Sequence, residues 1–226
     1  MPQHGRKYRA DQELVDAEAA YELEEAITKL KSFRDRKFDQ SVEIAMALGI
    51  DPKQAEQQIR GSIALPHGIG VSRSVIAFCD ADKVDDAKAA GAIEAGGEEL
   101  VEKIEGGWMD FDVAVAAPAM MRVVSKLGRV LGPKGLMPSP KAGTVTEDVV
   151  QAVKEYTAGK VEFRNDDGGN IHAVIGKKSF EPQQLIDNAS AFIENIEKMR
   201  PSTTKGYYIK RVALSGSMTP SVQVAV

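Results

Sequence analysis

The sequence of 226 residues has few of the side chains that bind metals or form covalent cross-links. Its one cysteine, Cys79, excludes an internal disulfide and a thiolate zinc site, and it fits a reducing cytoplasm. The three histidines, His4, His67 and His172, lie far apart and no HExxH pattern occurs. No uncharged apolar run approaches the roughly 18 residues of a membrane span, and no apolar segment follows the N-terminal charges. We therefore predict a soluble cytoplasmic protein with no metal site and no membrane contact.

Signatures of enzymes are missing as well. There is no Gly-x-Ser-x-Gly pattern, residues 132–135 lack the Gly-Lys-Ser/Thr ending of a phosphate loop, and residues 176–179 lack its first glycine. Asp166 and Asp167 could act as paired carboxylates, but adjacent residues on a turn point apart. We predict no catalytic residue and no cofactor. An enzyme that uses a nucleotide and a purely structural protein–protein adaptor remain the rival interpretations.

Acidic residues outnumber basic ones by 33 to 29, which gives a net charge of −4. An acidic chain is unusual for a nucleic-acid-binding protein. However, the first ten residues, residues 113–146 and residues 198–226 contain no acid, and each of these stretches contains at least three basic residues. Segregated charge of this kind can create positive faces on an acidic protein. The alternative is that these basic residues only lie on solvent-exposed faces of helices.

The pattern of apolar residues changes twice along the chain. Alternation over 41–48 and an amphipathic helix over 182–199 predict α+β outer segments with antiparallel strands. In the middle, unbroken apolar strands alternate with helices, which is typical of a parallel sheet covered on both faces. Candidate domain borders lie at 66–70 and 159–160. The other predicted elements are helices at 22–32, 82–90, 97–105 and 118–131 and one capped by Thr146, strands at 61–65, 75–79, 111–117, 160–164, 170–175, 207–214 and 222–226, and a hairpin turn at 166–169.

Residues 126–144 form the most unusual stretch, with four glycines, three prolines, four basic residues and no acid. Glycines let a backbone approach a phosphate chain closely, and prolines stiffen the loop, so that it loses less conformational entropy on binding. The cations attract phosphates without regard to sequence. The stretch therefore predicts a nucleic-acid-binding loop, with a stiff structural loop as the alternative. Its basic residues are Lys126, Arg129, Lys134 and Lys141.

A second candidate surface lies on the exposed side of the outer segments. Hydroxyls, carboxylate acceptors, an arginine and an apolar platform suit recognition of folded RNA, which depends on shape, sugar hydroxyls and stacking more than on dense positive charge. For each residue taken alone, an ordinary surface position is the alternative. The candidates include Lys37 and Phe38, Ser41 and Glu43, Arg164 and Asp166, His172, and residues 215–220.

At these residues the sequence resembles a known family. Residues 1–10, 65–68, 107–112, 126–144 and 162–166 all follow the pattern of the universal L-one family of ribosomal proteins, which includes the bacterial protein of the large-subunit stalk. The match runs nearly from end to end, and the motif at 126–144 is highly specific. The chain is thus similar to an RNA-binding protein and not to an enzyme.

The resemblance implies an α+β RNA-binding domain built from residues 1–67 and 160–226, with an antiparallel sheet and helices. An α/β Rossmann-like three-layer domain, residues 68–159, would be inserted into it. The implied partners are the stalk rRNA near the tRNA exit site, the exit-site tRNA and the messenger of its own operon, with the free protein a monomer. It also implies release of deacylated tRNA and repression of translation. The implied rRNA contacts are Lys37, Phe38, Ser41, Glu43, Arg164, Asp166, Ser215, Ser217, Met218 and Thr219.

Two positions depart from the family pattern. Thr219 stands where the family usually has glycine, and threonine adopts a left-handed backbone less readily, so the path of this loop stays open. Asp167 stands where the family usually has lysine, which should weaken the attraction of phosphates. Together with the acidic composition, these departures predict RNA binding that is weaker or depends more on ions.

Overall fold

The computed structural model describes residues 5–16 and 19–225 of the chain. The first four positions of the N-terminal motif, His4 among them, and the last position of the strand predicted at 222–226 lie outside the described residues. The helices are α1 (Arg6–Gln12), α2 (Leu23–Ser32), α3 (Val84–Ala89), α4 (Glu98–Glu105), α5 (Met121–Val124), α6 (Gly128–Leu131), α7 (Val149–Thr157) and α8 (Pro182–Lys198). The strands are β1 (Ser41–Leu48), β2 (Arg60–Ile63), β3 (Val75–Phe78), β4 (Glu94–Gly96), β5 (Val113–Ala116), β6 (Val161–Arg164), β7 (Asn170–Lys177), β8 (Ile209–Gly216) and β9 (Val222–Val224).

Two compact units make up the chain, one from residues 1–70 and 161–226 and the other from residues 71–160. The first unit contains an antiparallel sheet of order β7-β1-β8-β9. Alternate residues of β1, from Val42 to Leu48, are buried, while those between them lie on the other face. Helices α2 and α8 pack on the buried face, where Phe163 and Phe192 meet edge to face at 5.4 Å. The face of the sheet opposite α2 and α8 is called the outer face.

The second unit contains a parallel sheet of order β4-β3-β5. Every residue of β3 and β5 is buried, because helices lie on both sides of this small sheet. Val75 and Ala77 pack with α7 on one side, and Ile76 and Phe78 pack with α4 on the other. The predicted mixed α/β class is confirmed.

Two predicted helices differ in the structure. Thr146 does not cap α7; Asp148 does, because its carboxylate accepts a hydrogen bond from the Gln151 amide at 3.0 Å. The single helix predicted at 118–131 is a series of short α and 3₁₀ pieces. Near its middle the Ser125 hydroxyl donates to the Arg122 carbonyl at 2.8 Å, a local bond that competes with regular helix.

The predicted hairpin is present only as a turn. Its strands β6 and β7 meet at one bridge, between Asn165 and Ile171, and then pair with different partners. β6 pairs with β2 in a separate two-stranded sheet, and β7 pairs with β1. Asn165 causes this separation, because its backbone and side chain both bond to Ile59, which comes directly before β2.

Candidate RNA-binding surface

Serine side chains join the start of β1 to the loop between β8 and β9, residues 217–221, which we call the late loop. The Ser217 amide donates to the Ser41 carbonyl at 3.1 Å, and the Ser41 amide donates to the Ser217 hydroxyl at 3.2 Å. Lys177 on β7 donates to the Ser41 hydroxyl at 2.9 Å. The late loop is therefore fixed against the sheet, and hydroxyls and an ammonium group are collected at one end of it.

Thr219 settles the path that the sequence left open. Positive φ angles among the described residues occur only at glycines, so Thr219 does not adopt the left-handed backbone. Its side chain is buried and its hydroxyl accepts a hydrogen bond from the Gly216 amide at 2.8 Å. The threonine therefore closes the turn from within instead of facing outward.

Met218 is presented outward by a buried polar scaffold. Its side chain is 56% exposed, while its amide donates to the Gln40 side chain at 3.0 Å and its carbonyl accepts from Arg36 at 3.2 Å. Gln40 is only 1% exposed. Phe38, between these two anchors in the sequence, is itself 51% exposed. Two large apolar side chains thus face solvent on well-held backbone, as a stacking or groove-contacting platform requires.

The scaffold continues into the N-terminal helix. Arg36 also donates to the fully buried carboxylate of Asp11 in α1 at 2.7 Å, and the Arg34 amide donates to the same carboxylate at 3.1 Å. The other terminal nitrogen of Arg36 and the side-chain nitrogen of Gln40 are buried without a hydrogen-bond partner among the described residues. The sequence does not predict a role for Asp11 or Arg36, because no motif and no periodicity connects positions 11 and 36.

Lys37 is exposed beside a shallow cavity of about 550 Å³. Lys178 lines the same cavity and forms an ion pair with Asp35 at 2.7 Å, which lowers the pKa of that carboxyl. The Ser179 hydroxyl donates to Asp39 at 2.7 Å. Lys37 and Arg34 are both exposed cations of the loop between α2 and β1.

The outer face of the four-stranded sheet carries small residues with polar ones around them. Glu43 lies opposite Ser215 on β8, and Ala45 lies between His172 on β7 and Ala213 on β8. Arg211, opposite Ala47, is an exposed cation on the same face. Arg211 was not among the predicted contacts, although the acid-free stretch at 198–226 contains it.

The remaining predicted contacts lie toward the other end of this sheet. Asn170, which follows the turn of Asp166, pairs with Ala47, about 20 Å along β1 from Ser41 at the rise of an extended strand. The Asp166 carboxylate accepts from the amides of Gly168 at 2.9 Å and Asn170 at 2.7 Å. The predicted residues therefore form two groups, one at each end of the strand.

Hydrogen bonds favour the ionised form of the Asp166 carboxyl, which lies in the turn of the second group. The side chain and then the backbone of Asn170 lower the pKa of Asp166, with the charge of His172, 3.8 Å away, as a smaller cause. Arg164 is exposed at the end of β6, opposite Arg60. Asp167 is exposed in the turn as a bare carboxylate, where the family usually has a cation.

In the second unit, the four cations predicted to bind nucleic acid are all exposed. The loop that follows α6 is nevertheless tied down, since the Tyr156 hydroxyl donates to the Ala142 carbonyl at 2.7 Å. The Thr144 hydroxyl accepts from the Ser139 amide at 2.8 Å. A stiff loop and exposed cations therefore occur together here. The cations are Lys126, Arg129, Lys134 and Lys141.

The part of the chain that the structure describes contains no group of three or more His, Cys, Asp or Glu side chains placed to bind a metal ion. Among the same residues, no helix has the length and apolar composition needed to cross a membrane.

Comparison with known proteins agrees with the motifs. The model of the ribosomal protein L1p/L10e family matches residues 30–220. The chain belongs to this ribosomal protein family. Among the similar proteins, the large ribosomal subunit protein uL1 of Kosmotoga olearia is 48% identical over 99% of this chain and 97% of its own length. The protein of the same name from Nitratidesulfovibrio vulgaris is 48% identical over 99% of this chain and 95% of its own.

Membership of the L1p/L10e family confirms the resemblance seen in the motifs. The family consists of structural ribosomal proteins, so the chain is a ribosomal component and not an enzyme. As part of the ribosome it is cytoplasmic. The rival interpretation as a nucleotide-using enzyme is therefore set aside.

Proposed function

We propose that the protein is a constituent of the large ribosomal subunit that binds the rRNA of the mobile stalk through the outer face and the late loop of its first unit. The exposed Met218, held by the buried side chains of Arg36 and Gln40, carries this proposal. Burying polar groups to hold an apolar side chain in solvent costs stability, which makes sense where that side chain has a partner.

The chemistry of this surface suits a ribose-phosphate shape. Ser41, Ser215 and Ser217 offer hydroxyls, and Glu43 offers an acceptor for 2′-hydroxyls. Lys37 and Lys177 supply phosphate contacts at the same end of the sheet. We assign Arg164, Asp166 and His172 to a second contact further along the same RNA.

Titration with a stalk rRNA fragment tests this function. We expect the fragment to bind at least about thirtyfold more tightly than an unrelated hairpin of equal length, with an affinity that falls as salt rises. Asp167→Lys is the matched variant, and it should steepen the plot of log affinity against log salt by about 1. Equal affinity for the two RNAs would contradict the proposal, and the absence of any salt-dependent RNA affinity would favour the protein–protein adaptor instead.

We further propose that residues 1–67 and 160–226 form the RNA-binding domain and that residues 68–159 are inserted into it. The compact unit formed by the two ends of the chain supports this division. A chain in which a short glycine linker replaces residues 68–159 should keep most of the affinity for the stalk fragment. If that chain folds, as judged by circular dichroism, but no longer binds, the division is wrong.

Two further activities follow from the same chemistry. The exposed cations of the second unit, Lys126, Arg129, Lys134 and Lys141, would meet the exit-site tRNA and help deacylated tRNA to leave. The first unit of the free monomer would also bind the messenger RNA of the protein's own operon where that RNA folds like the stalk. This binding would repress translation of the messenger.

A further inference from the structure

A cavity of about 670 Å³ lies between the C-terminal end of α8 and the segment that enters β8. It is near Ile209, at the end of β8 opposite the late loop, and eight strand residues separate the two by about 25 Å. A cavity of this size is large enough for a nucleotide. Its lining residues are Glu197, Arg200, Gly206, Tyr207, Tyr208 and Ile209.

Tyr207 forms an open aromatic wall on this cavity. Its side chain is 89% exposed, so packing of the core does not explain an aromatic residue here. The backbone below it is closely held, because the Gly49 amide donates to the Tyr208 carbonyl at 2.7 Å. A Cβ atom on Gly49 would lie 2.2 Å from the Tyr207 carbonyl oxygen, so only glycine permits this approach.

Tyr208 supplies an unused polar group at the same place. The residue is 6% exposed, and its hydroxyl is buried without a hydrogen-bond partner among the described residues. Burial raises the pKa of this hydroxyl to about 12, and the nearby charge of Arg200 opposes the rise. The hydroxyl is therefore protonated at neutral pH and lies beneath the cavity, out of reach of a ligand in it.

Arg200 and its neighbours give the cavity its charge. The guanidinium of Arg200 is oriented by a hydrogen bond to the Gly206 carbonyl at 3.1 Å. Lys205 and Lys210 flank the lining segment 206–209 in the sequence and are exposed, but they line a second cavity, and Glu197 is an acid in the lining of this one. An exposed aromatic face beside an oriented guanidinium is the combination that binds a stacked base with its phosphate.

We propose that this cavity binds one unpaired RNA nucleotide, with its base stacked on Tyr207 and its polar edge facing Arg200. The RNA chain that leaves this nucleotide would extend toward Lys205 and Lys210. This site is separate from the surface proposed for stalk rRNA and does not require it. It would hold a single-stranded RNA segment while the outer face and late loop hold the folded stalk.

Binding of labelled single-stranded hexaadenylate and hexauridylate to the full chain at about 50 mM salt, followed by fluorescence anisotropy, tests the proposal. We expect Tyr207→Ala to weaken binding about tenfold, while the matched Tyr207→Phe keeps the stacking face and stays within about twofold of the original chain. Tyr208→Phe should stay within about twofold of the original binding and should not lower the melting temperature, since it removes a buried hydroxyl that has no partner among the described residues.

The same titrations separate this site from the proposed stalk surface. Met218→Asp should leave hexanucleotide binding unchanged, and an unlabelled stalk fragment of fully paired RNA should not displace the hexanucleotides. Equal binding by Tyr207→Ala and the original chain would overturn the proposal and leave the cavity to a protein partner. Loss of hexanucleotide binding in Met218→Asp would overturn it too. Failure of the stalk fragment to bind would refute the proposed function and leave this inference standing.

Discussion

Met218→Asp is expected to lower the affinity for a stalk rRNA fragment about a hundredfold without unfolding the protein. The side chain is 56% exposed, so a carboxylate there is solvated in the free protein and costs little stability. In the complex it would lie against phosphates, and an unpaired like charge at an interface costs about 2–3 kcal/mol, which is the expected hundredfold. The dissociation constant at fixed salt measures the loss, with circular dichroism as the check on folding.

Matched variants decide whether the charge or the shape of the new side chain causes the loss of affinity. Met218→Leu keeps an apolar side chain of similar volume and should stay within about threefold of the original affinity. Ser217→Glu, on the neighbouring position of the late loop, should reproduce much of the loss because it adds the same charge beside Ser41. An unchanged dissociation constant in both acidic variants would mean that the late loop does not contact the stalk.

Whether the sequence predicts a feature of this surface depends on how far apart in the sequence the interacting residues lie. The outward positions of Ser41 and Glu43 follow from the period of two along β1, and the structure shows that alternation. A second local rule, a short continuous apolar run between turn signals, predicts the central strands β3 and β5. Short-range patterns of this kind survive folding because the backbone geometry alone enforces them.

Contacts between distant positions are another matter. The bonds from Gln40 and Arg36 to Met218 span about 180 residues of sequence, and no periodicity connects their ends. Thr219 is a second example. Because the family usually has glycine at this position, the sequence leaves open whether Thr219 adopts a left-handed backbone. The structure answers this question with a hydroxyl that caps the turn at Gly216. Polar side chains that bond over long distances are visible only once the sheet has brought them together.

Two further differences, the cap of α7 and the presence of α1, have local causes. Thr146 and Asp148 are both good capping residues, and the sequence alone does not rank them. In the structure the Thr146 hydroxyl accepts from the Asp148 amide at 3.3 Å, which turns Asp148 into the cap of α7. The helix α1 was not predicted at all, because its buried residue is the acid Asp11 and not an apolar side chain.

That buried acid leads to the largest expected effect on stability. Arg36→Met should lower the free energy of unfolding of the first unit by about 3–5 kcal/mol, because it leaves the fully buried carboxylate of Asp11 without its cation. Among the described residues, the Arg34 amide would remain as its donor. A shift of the urea midpoint, with the slope unchanged, measures the loss. Since Arg36 also bonds to the Met218 carbonyl, stalk affinity should fall as well, by about threefold.

The double variant Arg36→Met with Asp11→Leu separates the buried charge from the rest of the arginine. Removing both partners eliminates the uncompensated carboxylate, so most of the lost stability should return. The loss of RNA affinity should persist, because the Met218 carbonyl still lacks its donor. Equal stability of the single and the double variant would show that Arg36 acts through packing and not through Asp11. Recovery of RNA affinity in the double variant would show instead that Arg36 reaches the late loop only through the position of α1.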